Sequence, residues 1–455
     1  MRKISLVSLF FLAILQASIL LGASNTLALT QLIAVGASAV VGFFTLYWVV
    51  RNKYYESVSI ASVLALAFFT RLIAIQATPL LEDDYFRYLW DGFQTVTSFN
   101  PYLFAPEYYF DHPDVDGAWL DILFNINYPE IPTIYGPVLQ GLFAIAYFIS
   151  PGKVGAIQAL LLIVDVSILL LLIQQKVPVR ALLIYAVHPL VLKEAMASSH
   201  PDILIGGFVL VALILWNNKQ AVWVGTCMAI AVATKISALL VLPFLFMPPP
   251  NKNYYWTIKA SVAFFMVLML CYLPFLVQGD NDLKALEVFA KDWKFNPLLY
   301  RFVDVFFAEK SKIITAVMFL ISYAGLFFYW RIYAKYQLPP VDVAFVLLLV
   351  FSSVVNPWYG LWIIAPAIYL KRYVLAVGIS VLMLAYGNSA VLFDAGLVIL
   401  SETDYLFVVL WPLTCIQVVV LIGALITDYK KTVIANPSVN PKDDVSVFKV
   451  REINV

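Results

Sequence analysis

The segment LLEDDYFRYLWDGFQTVTSFNPYLFAP, Leu80 to Pro106, is acidic and aromatic and follows directly on an apolar helical stretch. Carboxylates kept at a membrane surface are costly and are not needed for anchoring, so they mark a candidate functional site. Asp83 and Asp84 open the segment. Beside apolar surface a carboxyl has its pKa raised, which suits it to take a proton from a hydroxyl. The alternative is a solvated boundary or a helix cap, since Asp favours the first turn. Arg87 and Asp91 follow at helical spacing. Arg87 has two readings: an i,i+4 partner for Asp83 or Asp91, or a phosphate ligand.

Other separated residues raise the same question. Glu194, His200 and Asp202 surround a turn between apolar stretches, Lys193 beside them reading as a snorkelling lysine. A second carboxylate facing the first would fit a two-acid or metal-assisted site, while His200 is more simply a hydrogen-bonded turn residue. Lys235 lies between apolar stretches with no acid near it in sequence; it must reach an interface, pair, or meet an anion such as a lipid phosphate. Arg71, inside its helix, is expected to pair with an acid of the segment after Leu80. Trp293 and Asn296 (DWKFNP), and Trp358 and Tyr359 after Asn356-Pro357, are either interfacial anchors or walls and a lid for a polar headgroup.

What positions these residues is an all-α membrane scaffold. The 455 residues are 62% hydrophobic and only 13% charged, with mean hydropathy +0.88. Runs long enough to span a bilayer recur from end to end; the alternation expected of a β-barrel is absent. The expectation is a polytopic bundle of about 12–14 transmembrane helices with a large first external loop. Net charge of +1 gives no reason to expect nucleic acid. Cys227, Cys271 and Cys415 are scattered in apolar stretches and suggest neither disulfides nor metal. Met1 to Leu21 reads as a retained first helix rather than a cleaved leader.

Charge fixes the expected sidedness. If Thr133 to Ser150 does not cross, short loops on the amino-terminal side carry Lys176, Arg180, Lys219, Lys252, Arg331, Lys335, Lys371 and Arg372, against Lys235 alone opposite. The positive-inside rule therefore favours a re-entrant or surface-lying 133–150 and a cytoplasmic amino terminus. Residues 80–154 become one external loop, with ten acids and one base, Arg87, between Leu80 and Pro132. The acid loop, the 199–202 turn, Lys235, the 278–312 loop and the 356–359 turn then share one face. Residues 1–50 form two additional helices, 51–427 the membrane module, and 428–455 a polar cytoplasmic tail.

Taken together, DDYFRYLWDG (83–92), NPYLFAP (100–106), YPEIPTIYGP (128–137), HPLVLKEAMASSHPD (188–202), TKISALLVLP (234–243), KFNPLLY (294–300) and NPWYGLWIIAP (356–366) resemble the polytopic GT-C glycosyltransferases. The closest likeness is to bacterial polyprenyl-phosphomannose-dependent mannosyltransferases. His200-Pro201-Asp202 and Asn356 depart from the His-Asn-Asp and His-Pro-Trp-Tyr turns common there, which leaves the sugar open. The resemblance implies a plasma-membrane enzyme acting on the extracytoplasmic side, with a polyprenyl-phosphate sugar donor, a glycan or lipid acceptor and contacts to membrane lipids. It implies Asp84 as base with Asp83 beside it, Asp202 as the second acid, and Lys235 near the donor phosphate. No cofactor is expected and no metal is assigned. The sequence has no G-x-G-x-x-G or P-loop for a nucleotide sugar. The rivals are a flippase for a lipid-linked glycan and a non-catalytic envelope scaffold.

Overall fold

The structure is a computed structural model that describes residues 5–52, 55, 57–98, 100–111, 115–277, 285, 287, 293–334, 337–388 and 405–435. Part of the 278–312 loop and the polar tail beyond 435 lie outside the described residues. Among those described the fold is helical, with no strand. Among the described residues five helices are long and apolar enough to cross a membrane, and eight shorter apolar helices accompany them. The protein is thus an all-α polytopic membrane protein.

The amino-terminal hairpin is α1 (Leu6–Gly22) and α2 (Ala28–Arg51), packed against α3 (Ile60–Ala74). The acidic segment folds as α4 (Asp84–Thr97) and α5 (Gly117–Phe124); α6 (Pro137–Ile149) lies along α4 and turns Ile145, Phe148 and Ile149 outward. Next come α7 (Val154–Gln174), α8 (Val179–Ala186), a π-helical turn (Val191–Ala197), α9 (Ile203–Asn217) and α10 (Ala221–Thr234). A 3-10 turn (Ile236–Val241) runs into the short α11 (Leu242–Leu245) and then α12 (Tyr255–Leu276). The rest comprises α13 (Leu299–Phe307), α14 (Ser311–Tyr333), α15 (Val341–Phe351), α16 (Leu361–Tyr369), α17 (Tyr373–Gly378), a 3-10 segment (Ile379–Asn388) and α18 (Trp411–Ala435).

Local chemistry sets many of the ends. Ser5 and Ser59 accept the N–H groups of Ser8 and Ser62, each at 3.1 Å, and so cap α1 and α3. Lys176, Lys219 and Lys371 sit in the left-handed region just after α7, α9 and α16, with φ of 56°, 59° and 63°. Each adds a cation where a helix dipole is negative.

Two glycines let helices close around the site. A Cβ on Gly206 of α9 would lie 2.3 Å from the Leu361 carbonyl oxygen, so the start of α16 rests on the α9 backbone. A Cβ on Gly136 would lie 2.2 Å from the Ala233 carbonyl oxygen, which seats the start of α6 on the end of α10, two residues before Lys235.

Arg71 pairs differently from expectation. Its Nε donates to Asp165 of α7 at 2.9 Å, both side chains being 1% exposed. Its guanidinium also reaches the Tyr185 and Ala186 carbonyls, and Tyr185 Oη donates to Asp165 at 2.8 Å. A charge deep in a bundle takes the nearest acid on a facing helix, and Asp165, alone in an apolar run, supplies it.

We expect Gly206→Val to destabilise the fold by about 1–3 kcal/mol, the usual cost of overpacking, and to lower the thermal midpoint in detergent. Gly155→Ala, whose Cβ meets nothing within 4 Å, should leave the midpoint unchanged or slightly raised.

Candidate active site

The acidic turn enters from α3 and swings into α4. Asp83 precedes the helix without capping it, so its carboxylate is left for tertiary contacts. Asn127 Nδ2 supplies these, donating to Asp83 Oδ1 at 2.6 Å and to Asp84 Oδ1 at 3.3 Å. Tyr135 Oη donates to Asp84 Oδ2 at 3.4 Å. Burial pushes the Asp84 carboxyl above its ordinary range and neighbouring Asp83 adds to this; Asn127 and Lys235 oppose it. Asp83 is raised by burial too, against its hydrogen bonds.

The second centre forms where two helices meet end to end with a third. α9 starts just after Asp202, α10 stops at Lys235, and α16 begins near Trp362. Lys235 breaks its helix with an extended backbone, φ −156° and ψ 131°. Its Nζ pairs with Asp202 Oδ1 at 2.9 Å, and Trp362 Nε1 donates to the same oxygen at 2.7 Å. The ammonium sits 4.5 Å above the Tyr359 ring and 5.4 Å from that of Trp362. Burial works to lower the Lys235 pKa, but Asp202 and Tyr359 outweigh it and hold the group above its ordinary value.

Both centres border one cavity of about 660 Å³, a size suited to a small ligand. Of the residues singled out from sequence, Asp83, Asp84, Arg87, Asp202, Lys235, Trp293, Trp358 and Tyr359 line it. Trp293 packs on Tyr128, ring centroids 4.5 Å apart. It is held in place because Phe295 pairs with the chain before Asn356: Phe295 N–H donates to Ser353 O at 3.0 Å and Val355 N–H to Phe295 O at 2.8 Å.

Five other residues singled out from sequence have partners within the fold, and His200 is the hydrogen-bonded residue that its turn suggested. Arg87 lines the cavity, but its hydrogen bonds run to the carbonyls of Ile131 (2.9 Å), Tyr128 (3.0 Å) and Asn127 (3.4 Å), so it shapes the 127–131 segment rather than orienting an acid. Asp91 is fully buried away from the cavity wall, accepting from Thr133 at 2.5 Å and Gln140 at 3.1 Å, and it ties α4 to α6. Burial raises it to about 6, against Arg87, Thr133 and Gln140. Asn296 is spent on a reciprocal amide pair with Gln417, 3.0 Å each way, and on Val355 O at 3.2 Å. Glu194 and His200 stand one layer behind the wall, fully buried. There His200 stacks on Trp358 at 3.8 Å and shares a 3.1 Å hydrogen bond between Nδ1 and Tyr88 Oη.

Sequence reasoning missed several members. Glu82, Tyr88, Asn127, Tyr135 and Tyr386 also line the cavity. Glu82 was adjacent to the acids already chosen; nothing in the sequence marks Asn127 or Tyr386, each a single polar residue whose partners are remote. Lys193 does not snorkel: it is 0% exposed, 3.3 Å from both Glu82 and Glu194. Glu82, Glu194 and His200 offer ligand atoms within 4.8 Å of one another, a metal-like grouping, but the Lys193 ammonium already contacts both carboxylates. Burial pushes Glu82 upward, countered first by Lys193.

Buried carboxylates, a lysine paired with one of them and aromatic walls thus meet at one cavity of a helical membrane bundle. The family model described as alpha-(1->6)-mannopyranosyltransferase, N-terminal domain (MptA_B family) matches residues 10–249, more than half of the chain. The chain belongs to that family and is a glycosyltransferase that moves mannose. No curated protein and no solved structure gives a match. The matched segment holds Asp83, Asp84, Asp202 and Lys235, whereas Trp293, Trp358, Tyr359 and Trp362 lie beyond it.

Replacing Arg87 by Met should leave three carbonyls without their donor and cost about 2–4 kcal/mol of stability. Thermal unfolding and faster hydrogen exchange over 127–131 would register it. Unchanged exchange there would remove Arg87 from its organising role.

Proposed function

We propose that the protein transfers mannose from a polyprenyl-phosphate donor to a glycan or lipid acceptor on the extracytoplasmic face of the membrane. The single observation that carries this reading is that Asp84 and the Lys235–Asp202 pair border one cavity. The acceptor hydroxyl attacks the anomeric carbon as the bond from that carbon to the phosphate oxygen breaks. The hydroxyl proton passes to the Asp84 carboxylate, and the bond's electron pair leaves on the phosphate. Lys235, already charged through Asp202, stabilises that developing anion with its remaining N–H donors. Asp202 thus serves as the counter-ion that keeps Lys235 protonated and aimed. Trp293, Trp358 and Tyr128 offer apolar faces to a sugar ring and limit water.

A one-step displacement inverts the anomeric carbon. An α-linked product, as in the family description, would therefore require a β-linked mannosyl phosphate. The extracytoplasmic side is supported by helix direction. α9 and α16 each carry the site at their start and basic residues just past their end, Lys219 in one case, Lys371 and Arg372 in the other. The positive-inside rule assigns those basic ends to the cytoplasm.

The test supplies purified protein with labelled β-mannosyl phosphopolyprenol and candidate acceptors. Asp84→Asn should lower kcat by about 100-fold or more, the scale of a lost general base. Because burial raises the Asp84 pKa, activity should rise with pH along a limb lying above the ordinary carboxylate range, and Asp84→Asn should abolish that limb. Full transfer by Asp84→Asn would refute the base assignment; movement of lipid across the bilayer without a new glycosidic bond would favour the flippase.

A further inference from the structure

From the cavity wall inward, through Glu82 and Tyr386, runs a charged cluster that the proposed reaction does not use. Lys193 and Glu194 come from the π-helical turn, Tyr386 from the 3-10 segment after α17, and Glu82 from the acidic turn. Lys193 Nζ is 3.3 Å from Glu82 Oε1 and 3.3 Å from Glu194 Oε2, and it also contacts the Tyr386 hydroxyl. Tyr386 Oη lies 2.6 Å from Glu82 Oε1 and 3.0 Å from Glu194 Oε1. His200 Nε2 faces the same carboxylates at 3.8 and 3.7 Å and has no hydrogen-bond partner among the described residues. Two carboxylates and an imidazole in this arrangement are the ligands a divalent ion would take. Instead they surround an ammonium, and a lysine with no exposure requires that compensation.

The acidic turn shows what the cluster does. Leu81 has φ +58°, a left-handed conformation unfavourable for leucine, so something outside it must impose the shape. Its N–H donates to Gln31 Oε1 of α2 at 2.9 Å. The next residue, Glu82, is drawn into the cluster, while Asp83 and Asp84 turn to Asn127. We propose that Lys193 is a built-in cation standing where a metal would otherwise sit, and that through Glu82 it holds the acidic turn so that Asp83 and Asp84 face the donor cavity. Glu82 and Lys193 are positioning residues; they act through Asp84. Gln31 grips the turn from the other side, which gives the amino-terminal hairpin a part in the site. The catalytic consequence rests on the transfer reading above; the tether itself does not.

The experiment compares the full-length protein with Glu82→Gln, Tyr386→Phe and Lys193→Ala in lipid nanodiscs by hydrogen–deuterium exchange. Peptides covering 80–90 should exchange about tenfold or more faster in Glu82→Gln and Tyr386→Phe, with the thermal midpoint within a few degrees of the parent. Lys193→Ala should bind Mn²⁺ or Zn²⁺, and the ion should restore protection over 80–90; the parent should bind neither ion there. Should Lys193→Ala fail to fold, Glu82→Gln decides alone, since it keeps the Lys193–Glu194 pair. Parent-like exchange in Glu82→Gln, or specific binding of either ion by the parent at this cluster, would overturn the proposal. In the transfer assay Glu82→Gln should lower kcat about tenfold while the donor KM stays within about threefold, as for an interaction felt only in the transition state. A loosened turn in a protein that transfers no mannose would sink the transfer reading and keep the tether. An unchanged turn in a protein inactivated by Asp84→Asn would do the reverse.

Discussion

The site depends on the 2.9 Å pair between Lys235 and Asp202. A lysine between apolar stretches is unfavourable unless its charge is met, and here it is met by an acid arriving on another helix. The arrangement requires α10 to stop at Lys235, α9 to begin after Asp202, and α16 to deliver Trp362 onto the same carboxylate oxygen. Gly206 and Gly136 permit the close backbone approaches this demands. Packing and electrostatics are therefore one constraint: the helices could not separate without leaving a buried charge uncompensated.

That pair also divides the labour among the acids. Asp202 is committed to Lys235 and Trp362, so it keeps a cation charged. Among the described residues, Asp84 accepts hydrogen bonds from the neutral donors Asn127 and Tyr135, and burial raises its pKa. The two carboxylates thus have different partners, a cation and an indole N–H for Asp202 and an amide and a phenol for Asp84. The family match covers both acids and the lysine, while much of the aromatic wall comes from the second half of the chain.

The helical class and the convergence on one cavity were legible because hydropathy and isolated charge are strong local signals. Lys235 could be singled out because nothing near it in sequence could satisfy it. Loop charge put Asp202 on the same face, but the pairing of the two was not read from sequence, where a lipid phosphate was the anion suggested for Lys235. The readings that failed concern side chains whose role depends on which helix stands opposite. Arg71 found Asp165 in the middle of α7 rather than an acid of the loop. Asp91, at helical spacing from Arg87, was taken by Thr133 and Gln140. Asn296 looked like part of a lid and became a strut to Gln417, 121 residues away. Asn127 and Tyr386 had no local signal, since their importance comes from where the acidic turn is drawn.

The most direct test of the account is a structure with a non-transferable mannosyl phosphonate carrying a polyprenyl tail. The phosphonate oxygens should lie within about 3 Å of Lys235 Nζ, a charge-assisted hydrogen-bond distance, with the anomeric carbon turned toward Asp84. A headgroup bound outside this cavity, or one with its phosphonate directed away from Lys235, would contradict it.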